Sequence, residues 1–77
     1  MLGKPKYDYG DIVKFNIGEN EQRTGVVAII DRYGTFFDNS DVSYDILNKE
    51  ENMLYKHFRE DFIVEKIGKI DSNMIWD

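Results

Sequence analysis

A chain of 77 residues holds one small domain, and its core is thin, because a domain this size buries only about 60% of the surface its unfolded chain exposes. The absence of cysteine excludes a disulfide framework and a thiolate metal site, while 42% hydrophobic residues exclude a disordered chain. Ten Lys and Arg against fifteen Asp and Glu leave a net charge of −5, which argues against a phosphate-binding surface.

Five strands are predicted, with no long helical period. The first runs from Asp11 to Ile17, with Val13, Phe15 and Ile17 on one face and Ile12, Lys14 and Asn16 on the other. Gly10 and Gly18 punctuate it, and Glu19 to Arg23 reads as a polar loop. The second strand spans about Thr24 to Arg32. Its apolar run Val26-Val27-Ala28-Ile29-Ile30 suits a strand covered on much of both faces. Asp38-Asn39-Ser40-Asp41 is a turn cluster.

The third and fourth strands, Val42 to Leu47 and Met53 to Phe58, form a hairpin across Asn48 to Asn52. With Leu47 opposite Leu54, Ile46 meets Tyr55, Asp45 meets Lys56, and Tyr44 meets His57. Val42, Tyr44, Ile46, Met53, Tyr55 and His57 then share the core side. Arg59-Glu60-Asp61 reads as one 3₁₀ turn, and Phe62 to Ile67 as a fifth strand ending at Gly68.

Together these describe an all-β domain, a five-stranded antiparallel barrel with one 3₁₀ turn before the last strand. Gly10-Asp11-Ile12-Val13-Lys14-Phe15 followed by Gly25-Val26-Val27-Ala28-Ile29-Ile30 resembles the opening of SH3-like barrels, closest to those with a KOW-type pattern. Ser43-Tyr44-Asp45-Ile46, Leu54-Tyr55-Lys56-His57 and Glu60-Asp61-Phe62-Ile63 are similar to small proteins of Gram-positive bacteria and their phages. The resemblance covers residues 7 to 67 and implies an SH3-like fold but supplies no site. RNA-binding KOW domains are usually basic, and this chain is acidic. Residues 1–37 carry five cations and five acids, and residues 38–77 five cations and ten acids.

No catalytic set is legible. His57 is the single histidine, with no cysteine or serine motif to activate, and reads as a half-buried structural residue. Asp38, Asn39 and Asp41 lack the central glycine and closing glutamate of a Ca²⁺ loop, and the glycines form no phosphate-binding motif. Neither a metal nor a cofactor is expected, and an enzyme is not.

Aromatics, 14% of the chain, are the surplus. Tyr33, Phe36, Phe37 and Phe58 fall at or near strand ends, where SH3-like barrels present recognition grooves; exposed aromatics there mark partner contacts, and the alternative is that they pack under the long loops as a satellite cluster. The expected function is a non-enzymatic binding module whose partner is a protein. Two alternatives stand beside it. One is nucleic-acid binding through Lys4, Lys6, Lys14, Arg23 and Arg32 with Tyr7 and Tyr9. The other is an acidic inhibitor, of phage or prophage origin, that mimics nucleic acid with Asp38, Asp41, Asp45, Glu50 and Glu51.

The longest apolar run has five residues, too short for a membrane span or a secretory signal, so a cytoplasmic protein with no membrane contact is expected. The tail, residues 68–77, carries Ile70, Met74, Ile75 and Trp76. A monomer whose tail packs back with Trp76 as an aromatic lid is favoured; pairing of tails in a dimer and a disordered tail available to a partner are the alternatives.

Overall fold

The alternation becomes five antiparallel strands in the computed structural model, which describes residues 5–31 and 42–77. They are β1 (Asp11–Gly18), β2 (Glu21–Asp31), β3 (Ser43–Asn48), β4 (Met53–Arg59) and β5 (Ile63–Lys69). One sheet holds them in the order β4-β3-β2-β1-β5. A 3₁₀ turn, Glu60–Phe62, precedes β5, and a second, Ser72–Met74, lies in the tail. Among the described residues there is no α-helix, and no helix is long and apolar enough to cross a membrane.

Consecutive side chains of a strand point to opposite faces, so the two apolar clusters lie on opposite sides of the sheet. The larger holds Val13, Phe15, Val27, Ile30, Val42, Tyr44, Ile46 and Ile63, with Tyr55 and Phe58 packed against it. The smaller holds Val26, Ala28 and Ile75, flanked by Ile12, Leu47, Leu54 and Ile70. The apolar run in β2 therefore serves both faces, as its composition implies.

Bulges decide where the faces change. In β2 the register slips between Val27 and Ile29, so Val27 and Ile30, three residues apart, both reach the larger cluster. In the β3–β4 hairpin, Leu47 pairs Leu54 and Ile46 pairs Tyr55 as expected. Beyond them Tyr44 pairs Phe58, not His57. Lys56 and His57 together face Asp45, and His57 takes φ 62, the left-handed region that histidine enters more readily than most residues. The Asp45 carboxylate accepts the His57 N–H at 3.0 Å and stands 3.7 Å from the His57 Nδ1. This bulge carries Phe58 to the core side in place of His57. Met53, also expected there, is exposed. The expected register fails at Asp45 because a carboxylate can satisfy the donor that the bulge frees, so a strict two-residue alternation is not enforced.

The other corrections concern ends. Glu21 to Arg23, read as loop, pair with β1 down to Gly18 opposite Glu21, and Gln22 Nε2 donates to Asn16 Oδ1 at 3.1 Å. Polar side chains do not prevent pairing where both faces meet water. Gly68 does not end β5 but pairs with Ile12. Two register slips in β5 leave Val64 and Ile67 exposed. At Gly25 an added Cβ would lie 2.8 Å from the Leu47 carbonyl oxygen, so the close approach of β2 to β3 requires glycine there.

Candidate functional site

Of the four aromatics singled out for partner contact, Phe58 is described, whereas Tyr33, Phe36 and Phe37 lie outside the described residues, as does the turn Asp38 to Asp41. Phe58 is half-buried. Its ring meets Phe15 edge-on at 5.1 Å, Tyr55 at 5.9 Å and Phe62 at 6.3 Å. One side of Phe58 thus belongs to the core. Its other side forms, with Phe62, one wall of a groove of about 620 Å³ whose opposite wall is Asn16, Ile17, Gly18 and Glu19.

Local structure builds each wall. The register slips between Asn16 and Gly18, so Ile17 stands outside the ladder and packs half-buried against the aromatic cluster. Phe62 closes the 3₁₀ turn and is 48% exposed, a large apolar ring left in water. Sequence reasoning placed Phe62 at the start of the fifth strand and missed this role. An aromatic directly after the acidic pair Glu60-Asp61 was the available signal.

The core holds that turn in place. Tyr44 is 1% exposed, and its hydroxyl donates to Glu60 Oε2. The same Glu60 oxygen accepts the Lys6 N–H at 3.0 Å, while the Tyr44 hydroxyl accepts the Tyr7 N–H at 3.4 Å. The Tyr7 ring crosses Tyr44 at 5.7 Å, edge to face. Burial first, and the bond to Glu60 second, push the Tyr44 hydroxyl well above the usual tyrosine range. Burial likewise raises Tyr7, with Glu60 and Asp11 adding to it. Tyr44 therefore stays neutral and donates, which ties the core to the turn bearing Phe62.

Charges elsewhere are largely engaged. Asp11, 2% exposed, accepts the Asp8 N–H at 2.8 Å through Oδ2. Its Oδ1 makes no hydrogen bond but faces the ammonium groups of Lys66 at 3.3 Å and Lys69 at 3.5 Å. Lys14 stands 3.7 Å from Glu65, and Arg23 reaches Glu21 at 3.1 Å and Glu51 at 3.4 Å. Glu51 also accepts from Tyr55 at 2.7 Å and Asn48 at 2.9 Å, which locks the β3–β4 loop. Among the described residues no three His, Asp or Glu side chains come together as a metal-sized group. No protein-family model matches this chain, and neither curated proteins nor solved structures give a match.

Proposed function

We propose that the protein is a non-enzymatic binding module that takes an apolar segment of a protein partner into the groove between Ile17 and the Phe58–Phe62 wall. The observation that carries this reading is the exposure of Phe62 on a turn the core holds rigid. A fixed aromatic loses little conformational entropy on binding and brings a large contact area. The five-strand order and the 3₁₀ turn before β5 support the SH3-like barrel that the sequence resembles.

Charge pairing weighs against the two alternatives. Lys14, Arg23, Lys66 and Lys69 each face a carboxylate, so a phosphate backbone would have to displace it. The carboxylates of Asp45 and Glu51, two acids proposed for mimicry, are committed to the His57 N–H and to Asn48, Tyr55 and Arg23. Lys4, Arg32, Asp38 and Asp41 lie outside the described residues.

Affinity capture from host lysate, run in parallel with wild type and Phe62→Asp, tests the reading. A partner protein retained by wild type and lost with the variant, at unchanged stability of the variant, is the expected result. Labelled duplex and single strands titrated at about 0.15 M salt form the second arm. Low-micromolar nucleic-acid binding that weakens steeply with salt would overturn the proposal.

A further inference from the structure

Trp76, the expected lid of the tail, is 61% exposed, and Ile75 is buried at 3% in its place. The groove beside Trp76 carries both a cation, Lys49, and a carboxylate, Asp77, and selects no partner by charge. The Phe58–Phe62 groove is more selective, because it lies where a strand ladder stops.

In the sheet, β1 has β2 on one side and β5 on the other. The ladder to β2 runs to the last residue of β1, Gly18 opposite Glu21. The ladder to β5 ends three residues earlier, at Phe15 opposite Ile63, because the chain before Ile63 folds as the 3₁₀ turn Glu60–Phe62. Past that point, Asn16, Ile17 and Gly18 of β1 form one wall of the groove, and Phe62, the residue just before β5, stands on the other. The groove therefore occupies the place that a longer β5 would fill. Among the described residues no other strand lies beside that end of β1. A strand edge without a neighbour presents backbone N–H and C=O groups at alternate residues, and an extended backbone is the shape that satisfies them. The volume of about 620 Å³ is within the range of ligand clefts, about 300–1,000 Å³. Glu19 is the one charged residue of the lining and the chain carries −5 overall, so a segment bearing Lys or Arg is complementary.

We propose that this groove binds by strand addition: an extended segment of a partner protein prolongs the line of β5 along Asn16, Ile17 and Gly18, with an apolar side chain against Phe58 and Phe62 and a Lys or Arg near Glu19. This rests on the binding-module reading above and adds the backbone geometry and the charge of the bound segment.

Short random peptides displayed on phage, selected on the full chain and counter-selected on Phe62→Asp, supply the probe. Circular dichroism checks that the variant is folded. Each residue of a selected peptide is then N-methylated in turn, which removes one backbone donor and leaves both the side chains and the protein unaltered. Selected peptides should carry apolar residues with Lys or Arg. Affinity should fall about tenfold at alternate positions and little at those between, since only every second residue faces the edge. The amides of Asn16, Ile17 and Gly18 should gain protection from hydrogen exchange on binding. Peptides that depend on Phe62 but show neither the alternation nor the added protection would overturn strand addition and leave the binding-module reading standing. An acidic consensus would overturn the complementarity to Glu19. A selection that yields no peptide dependent on Phe62 would overturn the inference and the reading together.

Discussion

On one face of the sheet, Phe15, Tyr44 and Ile46 lie under aromatic rings from β4 and under Tyr7, and the turn before β5 is hydrogen-bonded to that core. On the other, Val26 and Ala28 are covered by one fully buried side chain, Ile75, from the residues that follow β5. The difference follows from β2. A strand apolar on both faces needs two covers, and the other strands of the sheet provide only the first. The second comes from a short tail whose ordering costs about 1–2 kcal/mol per residue in backbone entropy. The first face is therefore the source of cooperative stability, and the second is an attached lid.

Breaking the first face should have the largest effect. Tyr44→Ala should lower the unfolding free energy by about 3–5 kcal/mol, as for other buried large aromatics, when measured by denaturant titration. Such a loss is a large share of a small domain's total. Ile75→Ala, which empties the lid, should cost about 2 kcal/mol, at the low end for a buried isoleucine, because a tail closes over a gap more readily than a sheet. Equal losses at the two positions would erase the distinction between the faces.

A smaller effect sharpens the role of Tyr44. Its folded-state hydroxyl titrates above the unfolded value of about 10, so the folded state keeps a proton that the unfolded chain releases. Stability from this group is fully present below pH 10 and is lost as pH rises beyond it. Wild type should therefore lose about 1.4 kcal/mol per pH unit more than Tyr44→Phe above pH 10. Parallel stability curves for the two proteins would contradict the burial of a neutral hydroxyl.

The strands were legible because alternation reports burial directly: Val13 and Phe15 against Ile12 and Lys14 in β1, and Tyr44 and Ile46 in β3. The double-sided run of β2 was legible for the same reason. The bulge at Lys56 and His57 was not, since it depends on Asp45 reaching a backbone N–H across the ladder, a tertiary contact without a sequence period. That one slip moved Phe58 between core and groove. Phe62 was missed for a separate reason, because it closes the 3₁₀ turn instead of opening β5. In the tail, tryptophan's larger area favoured it as the lid, yet the smaller Ile75 is the side chain buried with Val26 and Ala28.

Native-state amide hydrogen exchange in dilute solution tests the asymmetry of the two faces most directly. The amides of Val27 and Ile46, inside the ladder, should exchange only through global unfolding. The Met74 and Ile75 amides, which donate within the tail to Asp71 at 2.8 Å and Ser72 at 3.4 Å, should exchange through local opening several kcal/mol below that. Protection of Met74 and Ile75 equal to that of Val27 and Ile46 would show that the tail unfolds with the core, and would contradict a cooperative face and an attached lid.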